Sequence, residues 1–382
     1  MVRQGCRVIS GNLTINLTYA NDLIQLISLD GVESIRGSLI GDTCSSDPSS
    51  TGQVCPNIVP YNISSSILTT IQVNVEFGET WFSGLLNLTL PNPTTVGGIF
   101  DINSWTSNIF YLDITSLTTV GSFNLEGNEI NNLTFLHNEL RNITGCNSQQ
   151  GQLSVGGLML DSVDSLFKNP LNVSYAQFWH LPNVNQVTFG LASAGSAFFE
   201  GGGNLTIIFD SPSTSSMKFG NFTLNGGVTK LTGSAQLNSL TTGWFTTQNG
   251  NFLTRLVLPF DDLQTLSIFN EPRIEQVVLP RQAIGYDSFD LLIGLCPLLN
   301  LTSVLRDRSD VVLAAEKYVI HRDLWECGDA LLERTFQCGY VRLIIPWPNW
   351  GHSADKLTAT HFLRTKMKLA CLTGRESSIN LL

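Results

Sequence analysis

The stretch Leu117–Asn138, LTTVGSFNLEGNEINNLTFLHN, holds one phrase twice: Phe123-Asn-Leu125-Glu-Gly-Asn128 and Leu133-Thr-Phe135-Leu-His-Asn138. Both read apolar, any, apolar, any, any, Asn. Alternate side chains of a strand face the same side, so each apolar pair points into one core. The asparagine that follows suits a chain turning away from its strand, because its side chain can satisfy bare backbone groups. The phrases begin ten residues apart. That leaves room for a strand and a tight corner but not for a strand and a helix. Repetition at this scale predicts an all-β solenoid.

Relatives of the phrase run along the chain. An apolar residue leads into Gly-Ser or Gly-Gly in Ile35-Arg-Gly-Ser-Leu39, Val96-Gly-Gly-Ile99, Val120-Gly-Ser-Phe123 and Leu231-Thr-Gly-Ser-Ala235. Strands ending on proline recur as Leu88-Thr-Leu-Pro91, Leu256-Val-Leu-Pro259 and Val277-Val-Leu-Pro280, the last two 21 residues apart. This spacing lies within the range of one leucine-rich coil. The glycines are expected where the backbone takes positive φ, and the prolines where a strand closes without costing a ladder bond. A non-repetitive β-sandwich with similar turns is the alternative.

Charged residues make up 14% of the 382 and hydrophobic ones 42%, against roughly a quarter charged in ordinary soluble domains. The surface must therefore be made soluble by hydroxyls, amides or attached sugar. A net charge of −10 argues against a nucleic-acid partner, which needs clustered Lys and Arg. Ten Asn-X-Ser/Thr sequons supply a compartment: Asn12, Asn16, Asn62, Asn87, Asn132, Asn142, Asn172, Asn204, Asn221 and Asn300. In all ten the middle residue is Leu, Ile, Val or Phe. A strand that buries this residue turns the asparagine and the hydroxyl outward, where a glycan can be attached. A secreted glycoprotein is expected. Asn-rich β-repeats that generate such triplets without glycosylation are the alternative.

The eight cysteines include no CxxC pair and no His at zinc-ligand spacing, which argues against a structural zinc site. Cys6, Cys44, Cys55, Cys146, Cys296 and Cys327 are disulfide candidates, with Cys44 and Cys55 bracketing one polar loop; buried free thiols remain the alternative, and connectivity does not follow from sequence.

From Cys6 the text CRVISGNLTINLTYANDLIQLISLDGVESIRGSLIG resembles the opening of the receptor L-domain, and most closely the fungal GPI-anchored cell-wall organisation proteins related to sporulation-specific wall proteins. LTLPNPTTVGGIFDI (88–102), LDITSLTTVGSFNLEGN (112–128) and LPNVNQVTF (181–189) are similar to that family's repeats. The resemblance covers roughly residues 6–300 and implies a right-handed, leucine-rich-repeat-like β-helix displayed outside the plasma membrane. It implies a non-enzymatic role in wall integrity, with wall polysaccharide or other wall proteins as partners, and no cofactor. Family members also carry a signal peptide and an anchor-attachment tail. Met1-Val-Arg-Gln-Gly runs straight into the first repeat, and Leu291–Leu305 is too short and interrupted for a membrane span. An incomplete gene product is expected, with a chain that is not secreted as the alternative.

The solenoid is expected over 6–305, as one continuous unit, with two L-domain halves meeting near 150 as the alternative. Residues 1–305 hold 10 Lys/Arg and 22 Asp/Glu, whereas 306–382 hold 11 and 9, and every sequon precedes the break. The segment from 311 to 336 reads as a partly helical cap for the open end. The text beyond Tyr340 reads as a translated intron or shifted frame, or else as a genuine basic tail.

Catalytic motifs are sparse. His321-Arg-Asp-Leu324 begins like a kinase catalytic loop, but Gly328 stands where asparagine is required. Gly201-Gly-Gly203 reads as a turn, with no P-loop lysine after it. A polysaccharide-cleaving β-helix is the enzyme alternative, for which Asp261, Asp262, Asp101 and Asp113 are the candidate carboxylates. A soluble ligand-binding L-domain is a further alternative. Trp81, Trp105, Trp179 and Trp244 offer flat faces for sugar stacking, or fill the core and its corners.

Overall fold

Period-two alternation is written in the strand Thr119–Gly127, where Val120, Phe123 and Leu125 are fully buried between more exposed neighbours. The computed structural model describes residues 7–15, 24–41, 60–77, 84–104, 109–127, 133–136, 140–145, 151–157, 159–167, 169–210, 215–278, 288–296 and 298–299. It also describes the strands Tyr340–Pro346, Met367–Ala370 and Glu376–Ile379. Strands dominate throughout; the described residues contain only one helical turn, the 3₁₀ turn Asp164–Phe167.

The strands stack as a β-solenoid. Thr119–Gly127 pairs in parallel with Thr95–Ser104 on one side, in the register Val96↔Val120 and Phe100↔Phe123, and with Gln152–Gly156 on the other. The ladder continues through Asn172–Trp179, Ser193–Phe209, Ser216–Gly233, Ser239–Gln248 and Asp262–Phe269 to Ser288–Gly294. Partners in register are 20 to 36 residues apart, as in Val187↔Ile207 and Ile35↔Ile71. With no crossover helix among the described residues, such offsets in parallel pairing come from a coil returning above itself. The opposite wall is a shorter parallel sheet of Gln25–Ser28, Tyr61–Ser64, Leu85–Thr89, Tyr111–Asp113 and Thr134–Leu136. Further along, Arg255–Val257 and Gln276–Val278 pair as Leu256↔Val277, within the last two of the three proline-ended phrases of the sequence.

The paired phrases that define the chain therefore occupy the two walls of one coil. Phe123 lies on the long sheet and Phe135 on the short one, their rings meeting across the interior at 6.4 Å. Register also stacks like on like. Phe100 and Phe123 lie parallel at 5.3 Å, Phe178 and Phe199 at 4.9 Å, and Phe222 and Phe245 at 6.1 Å. Offset-stacked rings of this kind add attraction beyond simple area burial.

The glycines of the repeats answer to a different cause from the one expected. Gly37, Gly97 and Gly98 are not among the positive-φ residues. They sit where a bend drives each coil onto the one below: a Cβ on Gly97 would overlap the Gln72 carbonyl oxygen, and one on Gly98 the Asn74 side chain. Gly195, Gly220 and Gly243 repeat the device in one column, each against the carbonyl oxygen of the preceding coil. At the same bend in the early coils, side chains satisfy the backbone. The Ser38 N–H donates to Asn12 Oδ1 (2.9 Å), the Asn74 N–H to Ser38 Oγ (3.2 Å) and the Ile99 N–H to Asn74 Oδ1 (2.9 Å).

Positive φ instead marks the corner after the long sheet, at Gly157, His180, Gly226, Asn249, Asn270 and Leu295. Asparagine adopts this conformation at low cost and hydrogen-bonds locally. Asn249 donates to Asn225 Oδ1 and Asn270 to Asn249 Oδ1, both at 2.9 Å, a ladder that ties successive corners.

The last parallel strand, Ser288–Gly294, is covered by Tyr340–Pro346, which pairs with it antiparallel as Leu291↔Leu343. A strand thus occupies the edge where an open ladder would recruit another chain. The helical cap expected over 311–336 lies outside the described residues.

Gly220→Ala is expected to destabilise by about 1–3 kcal/mol by overpacking, although Gly220 is exposed. Lys218→Ala, also exposed and two residues away, should stay within about 0.5 kcal/mol of the parent. Chemical denaturation of the two variants measures the difference.

Candidate functional site

The core of the described residues is almost wholly apolar, so most positions open to chemistry are the outward ones. On the long sheet they form a grid. Tyr175, Gln177 and Trp179 alternate outward on one strand, followed by Ser196, Phe198 and Glu200, then Asn221, Thr223 and Asn225, then Trp244, Thr246 and Gln248, then Thr265, Ser267 and Phe269. Hydroxyls, amides and aromatic rings predominate. Tyr175 Oη donates to Gln177 Oε1 at 3.0 Å, and burial raises the pKa of this phenol. The Trp179 indole lies over Gly156, where a side chain would collide with it, and meets His180 edge-on at 5.4 Å. His180 Nε2 in turn lies 3.1 Å from Glu200 Oε1. Trp244 has no such arrangement: it stands on the flat sheet 45% exposed. Trp81 and Trp105 lie outside the described residues.

The candidate carboxylates are dispersed. Asp101, on the long sheet, accepts from Asn124 Nδ2 at 2.7 Å. Asp113 lies on the opposite wall, where its Oδ1 accepts from the Thr115 N–H and hydroxyl and shapes a turn. Asp261 Oδ2 accepts from the Leu240 N–H at 2.7 Å, tying one coil to the next. Asp262 is left, its pKa raised by burial. Three of the four are thus committed to local structure, and Asp101 and Asp113 stand on different walls. His321–Leu324 lies outside the described residues, and Gly201–Gly203 falls at a register shift of the strand Ser193–Phe209. Among the described residues no three His, Cys, Asp or Glu side chains gather to hold a metal ion. No helix of these residues is long and apolar enough to cross a membrane.

Seven sequons are described, and all obey one parity. The middle residues Ile63, Leu88, Ile143, Val173, Leu205 and Phe222 are buried and Leu13 is half-buried, whereas none of the seven asparagines is buried. Four asparagines also serve the fold: Asn12 through the bend ladder, Asn87 by donating to Asn62 Oδ1 at 2.7 Å, and Asn172 by accepting from Ser193 Oγ at 2.7 Å. Asn142, Asn204 and Asn221 are exposed. Asn16, Asn132 and Asn300 lie outside the described residues.

Of the disulfide candidates, Cys296 is a free thiol. It faces the core end, with Sγ 3.2 Å from the Gly294 carbonyl oxygen, and burial raises its pKa. Cys6, Cys44, Cys55, Cys146 and Cys327 lie outside the described residues.

Next to Cys296 is a group that motif reading missed. Glu271 is only 1% exposed. Its Oε1 accepts from the Thr247 hydroxyl at 2.7 Å, and its carboxylate fills the space that Gly250 leaves by having no side chain. Burial raises its pKa, with the Thr247 hydroxyl and the Gly250 N–H offsetting part of the effect. The signal lay in a repeated corner: His180-Leu-Pro-Asn-Val184, Asn270-Glu-Pro-Arg-Ile274 and Leu295-Cys-Pro-Leu-Leu299. Each begins on a positive-φ residue, and its fifth residue donates an N–H to the carbonyl of its second. The inward second position holds Leu181, Glu271 or Cys296.

No protein-family model, curated protein or solved structure matches the chain.

Glu271→Gln keeps an acceptor for Thr247 and removes the buried charge, so it should stabilise by about 1–3 kcal/mol at pH 7. With the folded pKa raised, the native state holds the proton longer than the unfolded chain. Glu271 is therefore harmless below its ordinary value of 4.5, and stability is lost as pH rises through the folded pKa. The advantage of Gln should shrink towards pH 4 in urea titrations. A difference that does not vary with pH contradicts this.

Proposed function

We propose that the chain is a secreted, N-glycosylated cell-surface protein of receptor L-domain type that supports fungal cell-wall organisation without turning over a substrate. The observation that carries this is the parity of the sequons. A strand residue set outward carries an Nδ2-linked glycan into solvent, and the buried neighbour keeps the attached sugar clear of the core. Low charge fits the same setting, because glycans supply the hydration that ionised side chains provide elsewhere.

The role would come from display. A stack of coils presents two long walls whose outward side chains repeat coil by coil, a shape suited to extended partners. On the long sheet these side chains are amides, hydroxyls and scattered rings, groups that match the hydroxyls and apolar faces of neutral wall polysaccharide. The resemblance of the repeats to wall-organisation proteins points the same way. A polysaccharide hydrolase requires two carboxylates held across one bond, and the four candidates here are spread over two walls.

The protein secreted from a eukaryotic host should lose several glycans on endoglycosidase treatment, seen as a mobility shift. It should co-sediment with insoluble wall polysaccharide and release no reducing sugar from glucan or chitin. The absence of any shift would sink the glycoprotein reading, and sugar release abolished by Asp262→Ala would replace it with an enzyme.

A further inference from the structure

We infer that Trp244 is the seat for a sugar the chain itself carries: the first N-acetylglucosamine on Asn221 packs against the exposed indole. This rests on the glycosylation reading above and gives one of its sites a partner within the fold. Asn221 and Trp244 are register partners on adjacent parallel strands. Their backbones are therefore about 4.8 Å apart and their side chains project from the same face. Phe222, 0% exposed, anchors the sequon between them and holds Asn221 and Thr223 outward.

Two features in combination separate this sequon from the others. Its asparagine side chain is exposed and makes no hydrogen bond among the described residues, as with Asn142 and Asn204, whereas those of Asn12, Asn62, Asn87 and Asn172 are engaged. It also faces an aromatic ring. Asn142 faces Thr119, and Asn87, which does face Tyr111, has its Nδ2 directed to Asn62.

Trp244 in turn lacks a cover. Its ladder neighbours are Asn221 and Thr265, and the next outward residue on its own strand is Thr246, all polar. A bare indole on a flat polar sheet leaves apolar surface in water. The β-linked pyranose one coil away brings a face of C–H groups to the electron-rich ring. Its hydroxyls point to the rim, where Thr223, Thr246 and Thr265 stand. Sugar and ring thus cover each other.

The test is a double-mutant cycle on protein secreted from a eukaryotic host, with occupancy of Asn221 first read by mass spectrometry. Asn221→Gln should lower the Tm by about 2–4 °C when Trp244 is present and leave it unchanged in Trp244→Thr, while Trp244→Tyr should retain the coupling. Threonine matches the surroundings of the site, so that variant should keep its strand. Acrylamide quenching reports independently, because amidase release of whole glycans, which removes the first sugar and leaves Asp at 221, should expose one further tryptophan in the parent and none in Trp244→Thr. The same variants made without glycans should show no coupling. An occupied Asn221 with equal Tm losses in both backgrounds overturns the packing and leaves the glycoprotein reading standing. An empty Asn221 beside other occupied sequons also overturns it, and no glycan anywhere removes both readings.

Discussion

Parallel strands held in register force each coil to repeat the side-chain directions of the coil below. Everything else in this structure follows from that constraint. Inward columns are filled by apolar groups that pack on one another, hence the stacked register pairs Phe100–Phe123, Phe178–Phe199 and Phe222–Phe245. Where the chain bends, each carbonyl approaches the next Cα so closely that only glycine fits, hence the column Gly195, Gly220, Gly243. At the corner after the long sheet, the residue must tolerate positive φ on every turn, hence Gly226, Asn249 and Asn270 in succession. A single wrong side chain in such a column is felt by two neighbours at once.

The same constraint moves function to the outside. Apolar side chains fill the interior, and outward positions recur at the coil spacing and present rows. The sequons obey the rule in its simplest form, one buried residue between two outward ones. Glu271 departs from it, placing a carboxylate where the equivalent corner holds Leu181. It survives because Thr247 supplies a hydrogen bond and Gly250 supplies room.

Much of the fold was legible in the sequence because its signal is periodic. The paired phrases around Phe123 and Phe135, the offset of 21 residues between Leu256 and Val277, and the apolar centre of each sequon all report strand parity. The assignment of phrases to walls was not legible, since two strands of one coil and two successive coils have similar local patterns. The glycines suggest a torsion in the sequence when their cause is contact, and a close approach between residues such as Gly220 and Gly195 is invisible in local text. The candidate site was less legible still. Trp179 and Trp244 look alike as letters, yet one lies over Gly156 and the other stands uncovered. That difference depends on which residue the register places beside each. Glu271 required three corners to be compared, and only one of them contains the Leu-Pro-Asn phrase that draws attention.

Register is therefore the claim on which the account depends most, and engineered disulfides read it directly. Thr223 and Thr246 are outward partners on neighbouring coils, about 4.8 Å apart, within the span a disulfide bridges. Thr223 and Gln248 differ by one further outward position, which puts them about 8 Å apart. The pair Thr223→Cys with Thr246→Cys should oxidise to an intramolecular crosslink, identified by peptide mapping, and Thr223→Cys with Gln248→Cys should not. Crosslinking of the second pair in preference to the first would contradict the stacked register described here.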